Sequence, residues 1–260
     1  MPHPLSIAII SKNEEANLRR CLASAVDLAQ EIIIVDSGST DGTQAVAEEF
    51  GARFVSQAWL GFTDQKNLCN SLCTQPWILA LDCDEELSPE LRRSIESFFT
   101  DGSTEKYEAA WMARRVWFLG RWIRHGDWYP DKKVRLFRRD KGRWEGHASS
   151  QVHERLVVDG PHTTLEGDLY HYSFTSMGHY LDKHVGYTDV FAEHEQAEGR
   201  GWSLVHALFR PWWRFMRAYV LRRGFMDGFP GLWIAMSTAY FTFMRYSRAY
   251  EVKVRSNQPR

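Results

Sequence analysis

Little in this chain points to nucleic acid, to a disulfide framework or to secretion. The formal net charge is -1, so no global field draws the protein to a polyanion. Cysteine is sparse, and Cys21, Cys69, Cys73 and Cys83 all fall in the first third. Cys69 and Cys73 share a helix face at i, i+4, but no His or Cys partners stand at zinc spacing nearby. Buried reduced thiols in a cytosolic protein are expected instead. Met1 to Pro4 is not a basic leader and the first apolar run is short, so no secretory signal is expected. There is no internal repeat and no low-complexity tract. What remains is a chain of 260 residues, ample for a sizeable core as one large domain or two small ones.

Acid at one place is the strongest positive feature. The apolar run Trp77 to Leu81 reads as a buried strand, and Asp82, Asp84, Glu85 and Glu86 follow at once. Carboxylates at i, i+2 on a strand point to one side of the pleat. Such a cluster is costly unless a cation sits among its members. Hard divalent ions, Mg²⁺ or Mn²⁺, suit it and leave positions open for phosphate. The other reading is a solvated acidic loop that opens a helix over Pro89 to Phe99, with acids well placed for its dipole.

The order of elements adds weight to the first reading. Leu5 to Ile10 and Glu31 to Val35 are buried strands, and Ala52 to Val55 a third. Helices are expected through Leu18, Cys21, Leu22 and Val26, over Gln44 to Phe50, and from Gln65-Lys66-Asn67 to about Cys73. Alternating strands and helices imply a mostly parallel sheet with helices on both faces. Ligands bind at the carboxyl ends of such strands. Ser11 to Glu14, Asp36 to Thr43 and Asp82 to Glu85 all lie at these ends.

Ser-Lys-Asn-Glu-Glu from Ser11, Val-Asp-Ser-Gly-Ser-Thr-Asp-Gly-Thr from Val35, Gln-Lys-Asn from Gln65 and Leu-Asp-Cys-Asp-Glu from Leu81, in that order, resemble family-2 glycosyltransferases of the GT-A fold. Later segments narrow the likeness to the bacterial lipopolysaccharide-core glucosyltransferase group: Gly120 to Asp131, Arg135-Leu136-Phe137-Arg138, Val152 to Leu156, His171-Tyr172-Ser173 and Gly224 to Gly228. The resemblance implies an α/β GT-A domain over residues 1–175, with a nucleotide-sugar half, 1–100, and an acceptor half, 101–175. It implies inverting transfer of a hexose, glucose first, from a UDP-sugar to a glycolipid or lipid-linked acceptor, with Mg²⁺ or Mn²⁺. Carried over by position, Asp36 binds the uracil edge, with Ser37 and Gly38 in the same loop. Ser11, Asn13, Glu14 and Lys66 surround the nucleoside. Asp82 faces ribose and metal, Asp84 binds metal, and His171 is a third ligand. The family's usual acid-aspartate base motif is missing; His153-Glu154 substitutes, with Glu154 the base and Asp127 and Asp131 its rivals.

Two other classes stay open. A nucleotidyltransferase or pyrophosphorylase also uses metal-binding acids on an open sheet, but Ser6 to Glu15 lacks its glycine-rich basic segment. A binding protein that has lost the chemistry would not need the acids intact.

From Ala109 to Arg143 aromatics and arginines interleave. They suit a sugar ring beside phosphate, a stacked single strand, or most simply a half-buried sheet with arginine stems lying on it. In Gly201 to Arg223 aromatics and arginines recur with no acid. Leu232 to Met244 is shorter than the ~20 apolar residues of a spanning helix. Residues 176–260 therefore read as an amphipathic helical extension that lies on an anionic membrane surface. The alternative is a helical hairpin packed on the protein. The expected place is the cytoplasm, peripheral on the inner face of the inner membrane, with no nucleic-acid partner.

Overall fold

The structure, a computed structural model, describes residues 2–146, 154–174, 176–182 and 202–256. The chain divides into two compact units, residues 1–114 with 132–171, and residues 115–131 with 172–260. Residues 115–131 thus group with the later chain, where the sequence reading divides the molecule once, after residue 175.

The first unit is a mostly parallel α/β sheet with helices packed on it, as expected. Its opening elements are β1 (His3–Ser11), α1 (Glu15–Ala25), β2 (Ala29–Asp36), α2 (Thr43–Glu49), β3 (Arg53–Ser56), α3 (Phe62–Leu72), β4 (Trp77–Asp82), β5 (Glu85–Leu87) and α4 (Pro89–Thr100). After the short turn of helix Ser103–Lys106 the chain continues through β6 (Ala109–Phe118), whose outer end lies with β7 (Arg121–Trp122) in the second unit, and then through β8 (Asp131–Arg138), β9 (Gly142–Glu145), β10 (Arg155–Val158) and β11 (His162–His171). The strand order is β3-β2-β1-β4-β8-β6-β11-β5. β1, β2, β3 and β4 run parallel, and the direction reverses where β8 joins β4.

Burial on both faces explains why the central strands read as unbroken apolar runs rather than as alternation. Leu5, Ile7, Ile9, Ile33, Ile34, Ile78 and Leu79 are buried at the heart of this sheet. Register then fixes the rim. Ser11 stands beside Asp36, and Ile10 beside Asp82, so three strands deliver their polar ends together.

Elsewhere local signals set the boundaries. Ser88 caps α4 by accepting from the Leu91 N–H at 3.1 Å, and Pro89 occupies the first helical position, where its missing N–H costs nothing. The same Ser88 hydroxyl accepts from the Asp168 N–H at 3.1 Å. Here β11 crosses the start of α4 so closely that a Cβ on Gly167, whose φ is +89°, would meet the Leu91 nitrogen at 2.2 Å. That crossing sets the β11–β5 pairing, which places His171 opposite Glu85.

The second unit holds the outer end of β6, β7, and two helices, Leu204–Phe215 and Gly228–Ser256. Its core is small and aromatic: Val116, Phe118, Ile123 and Ile234, with Trp128, Phe174 and Trp233 packed on them. The helix Leu204–Phe215 runs on into a π-helical turn, Met216–Leu221. In that turn the Arg222 N–H reaches the Arg217 carbonyl at 2.8 Å, an i, i+5 bond. The wider turn puts Arg217 and Arg222 on one side, although regular α-helix would set them well apart. Both reach Asp127, at 2.7 and 3.1 Å, and Arg214 joins them at 3.5 Å. Among the described residues, no helix is long and apolar enough to cross a membrane.

Candidate active site

Two loops at the rim are knitted into one by side chains. Asp36 ends β2 and accepts four hydrogen bonds, from the Gly38 and Ser39 N–H groups at 2.8 and 2.7 Å and from the Ser11 and Ser39 hydroxyls at 2.8 and 2.5 Å. Burial opposes its ionisation, but these bonds prevail and hold its carboxyl below the usual range. Asn13 adopts the left-handed backbone, with φ 55°, which its short polar side chain tolerates. From there its side-chain Oδ1 accepts the Thr40 N–H at 2.7 Å, and its backbone N–H donates to Ser39 Oγ at 2.7 Å. The Glu14 N–H donates to Thr43 Oγ1 at 2.9 Å. Burial, with the nearby charges of Asp84 and Asp41, pushes the Glu14 carboxyl up. Ser37 and Gly38 lie inside the loop so formed.

The acidic strand end differs from its sequence reading in two ways. β4 ends at Asp82, so Asp82 and Asp84 do not share a pleated face. Cys83 and Asp84 form a turn, closed by the Asp82 N–H donating to Glu85 Oε2 at 3.0 Å. The cations among the acids are also the protein's own. Arg135 reaches Asp82 at 2.5 Å and Glu85 at 2.6 Å, Arg114 reaches Glu85 at 3.5 Å, and Arg20 reaches Glu86 at 3.8 Å. Glu85 is fully buried by this pairing, so the segment is no solvated loop. Burial works against ionisation of Asp82, yet Arg135 and Lys66 hold its carboxyl well below the ordinary value.

Three successive residues of α3 then gather the site. Gln65 Nε2 donates to Ser37 Oγ at 3.3 Å. The Lys66 ammonium lies 3.0 Å from Asp82 Oδ1 and 3.1 Å from Glu154 Oε1, and 4.4 Å from the centre of the Trp144 ring. Asn67 exchanges two bonds of 2.9 Å with the Trp144 backbone, as a neighbouring strand would. Through that exchange α3 holds the β9–β10 ribbon, at whose near end Glu154 stands. Gly146 permits the approach, because a Cβ there would meet Thr63 Oγ1 at 2.3 Å. Ala8, Ile10, Asn70 and Arg135 line a small cavity beneath Lys66 and Asp82.

Asp84 has a different partner. Its Oδ2 lies 3.2 Å from His171 Nε2. Burial opposes the charge, and the imidazole contact outweighs it, so the Asp84 carboxyl is lowered. A carboxylate and an imidazole side by side fit two positions of a Mg²⁺ or Mn²⁺ sphere, the rest being left to phosphate and water. Asp82 is engaged by Lys66 and Arg135 and does not complete a triad. Among the described residues no group of three His, Cys, Asp or Glu stands ready to hold a metal.

The structure therefore brings together Ser11, Asn13, Glu14, Asp36, Ser37 and Gly38 in one loop pair. It joins Lys66, Asp82 and Glu154 in one ion cluster, and Asp84 with His171. Asp127 and Asp131 belong to the second unit. There Arg214, Arg217 and Arg222 occupy the Asp127 carboxylate oxygens, which is poor company for a base. His153 lies outside the described residues. Sequence reading placed Arg135 in a segment of the resemblance but gave it no role; a lone cation inside the apolar run Val134 to Phe137 was the signal. It also missed the separate contacts of Gln65 and Asn67. All four cysteines are buried and free, and burial pushes the Cys73 thiol up to about 12.

Known proteins resemble this chain. The family model for glycosyl transferase family 2 matches residues 6–150. A Rickettsia bellii protein described as an uncharacterized glycosyltransferase is 33% identical over 97% of this chain and 88% of its own length. The lipopolysaccharide core biosynthesis glycosyltransferase LpsC of Rhizobium meliloti is 31% identical over 98% of this chain and 96% of its own. Among solved structures, S. aureus TarS 1–349 covers 99% of this chain and 92% of that one, with a TM-score of 0.47 and 13% identity.

Proposed function

For a chain that belongs to glycosyl transferase family 2, we propose inverting transfer of a hexose, glucose favoured, from a UDP-sugar to a lipid-linked acceptor such as the lipopolysaccharide core. The observation that carries the reading is the Lys66 ammonium set between Asp82 and Glu154. It joins the carboxylate at the sheet rim to a second carboxylate free of the strand ends, as a donor site beside a general base requires. The acceptor hydroxyl forms its bond to the anomeric carbon while the bond from that carbon to the diphosphate oxygen breaks. Its proton passes to Glu154, and the nucleoside diphosphate leaves with the bonding pair.

Asp36 takes the uracil N3–H in place of one of its hydroxyl donors, Ser11 or Ser39. Ser37, Gly38, Asn13 and Glu14 wall the nucleoside. Asp84 and His171 would hold the Mg²⁺ or Mn²⁺, whose chemistry is to take up charge on the leaving diphosphate. Lys66 adds a fixed positive charge on the same side. The acceptor class rests on LpsC, whose name assigns that relative to lipopolysaccharide core biosynthesis. An exposed row on the second unit supports attachment to an anionic inner-leaflet surface: Leu204, Val205, Leu208, Phe209, Trp212 and Trp213. This spacing marks one face of a helix, and Arg210 on the same helix is also exposed.

A screen of sugar nucleotides by thermal stabilisation in Mn²⁺ tests the donor. A donor at 100 times its dissociation constant adds ~2.7 kcal/mol to folding stability. UDP release is then measured with lipid-linked and water-soluble acceptors. Stabilisation by no UDP-sugar sinks the donor assignment, and turnover on the soluble acceptor alone sinks the lipid one.

A further inference from the structure

Glu85, Arg135, Asp82, Lys66 and Glu154 alternate in sign along one chain of contacts. Its inner links are fixed, since Glu85 and Arg135 are buried and hold each other at 2.6 Å. The outer link is different. The Lys66 side chain is 8% exposed, but Asp82 and Glu154 are 30% and 21% exposed, so an incoming anion meets this cluster from the side of the carboxylates. Lys66 is a single ammonium serving both of them. Among the described residues, it is the group bonded to the Glu154 carboxylate. A carboxylate held by an ammonium has an acceptor position occupied and cannot offer it to a third party's hydroxyl.

We propose that Lys66 is a positioning residue that clamps Glu154 in the donor-free enzyme and releases it when a diphosphate takes over the ammonium. This rests on the donor reading above. The diphosphate carries more charge than Glu154 and competes for the same N–H donors. Asp82 keeps Arg135 after the exchange, whereas Glu154 gives up its partner and faces the acceptor as a free base. The carboxylate oxygen is then open to the acceptor hydroxyl only where a donor is bound. Asn67 keeps the ribbon in place during the exchange, because its bonds to Trp144 run through backbone and not through Lys66.

Competition makes a prediction opposite to that of a simple binding residue: removing the Glu154 charge should tighten diphosphate binding. Calorimetric titration of the full chain in Mn²⁺ buffer with UDP and with uridine reads it. Glu154→Gln should raise UDP affinity about tenfold and leave uridine affinity unchanged, because uridine has no diphosphate to claim the ammonium. Lys66→Met should weaken UDP binding, and adding Glu154→Gln to it should change nothing further. Equal UDP affinity in Glu154→Gln and parent overturns the clamp. So does tightening of uridine and UDP alike, or tightening that persists in the Lys66→Met background, since either reports only relief of general negative charge. The comparison of UDP with uridine on Glu154→Gln decides the matter even when Lys66→Met fails to fold. A parent that binds neither ligand defeats the donor reading and the clamp together, which is distinct from binding with equal affinities.

Discussion

Arg135 and Arg217 each meet a carboxylate, but in opposite surroundings. Arg135 is buried between Asp82 and Glu85, under a sheet whose large apolar side chains lie inside. Arg217 joins Arg214 and Arg222 on Asp127, at a helix junction that leaves Leu208, Phe209, Trp212 and Trp213 more than two-fifths exposed. In the first unit apolar burial holds the strands, and ion pairs shape the site at their ends. In the second unit ion pairs gather at the junction, and an apolar face stays exposed. The same residue types, arginine and aromatic, thus serve a site in one region and a surface in the other. A count of arginines in the later segment overstates the charge it offers to lipid, because three of them are turned to Asp127.

Asp84→Ala is the hardest test of the first unit. It should bring transfer below detection in a UDP-release assay and leave the melting temperature within a few degrees. Near-normal turnover in EDTA-treated buffer would mean that the Asp84–His171 pair is structural. Glu154→Gln should lower turnover by ~10²–10⁴, the usual worth of general-base help. Unchanged turnover would end its assignment as base, and the kcat of the variant on a saturating donor is the number to read.

The second unit should respond in stability and not in chemistry. Asp127→Ala leaves three guanidinium groups facing one another, and should cost about 2–3 kcal/mol in chemical denaturation. If the denaturation midpoint does not move, the ion cluster does not hold the junction. Leu208→Glu with Trp212→Glu should lower co-sedimentation with anionic vesicles more than tenfold, since each side chain is worth roughly 1.5–3 kcal/mol when buried. Parent binding should itself weaken as salt rises. Equal, negligible sedimentation with anionic and neutral vesicles would leave the exposed face to a protein partner, such as a second copy of the chain.

The smallest effect separates the units by pH. Asp36, Asp82 and Asp84 have carboxyls lowered in the folded protein. Their stabilisation is fully present above the unfolded carboxylate value, about 4, and is lost as pH falls through the folded values. The melting temperature should therefore be level from neutral pH to about 5 and then decline. A curve that stays flat below pH 4 would show that these carboxylates are not tied to folding.

Strands and rim loops were legible in the sequence because buried parallel strands announce themselves as apolar runs and their ends as small polar residues. Asp36, Asp82 and Asp84 were found on that ground. Their partners were not legible, because Arg135 reaches Asp82 only through the placing of β8 beside β4, a non-consecutive neighbour. The segment Arg135-Leu136-Phe137-Arg138 entered the resemblance, but apart from its apolar flanks nothing local says what Arg135 would touch. The π-helical turn was equally hidden. Met216 to Leu221 has ordinary helix-forming residues, and the extra residue shows only in where Arg217 and Arg222 point.

Gln65, Lys66 and Asn67 sit 100° apart around α3, as successive helical residues must, and each grips a different part of the molecule. The helix is in this sense an axle with three spokes. Turning it to favour one grip would misalign the other two, so the Ser37 loop, the acidic strand end and the Glu154 ribbon share one adjustment. A single residue inserted before Gln65 would rotate every spoke to the wrong neighbour at once.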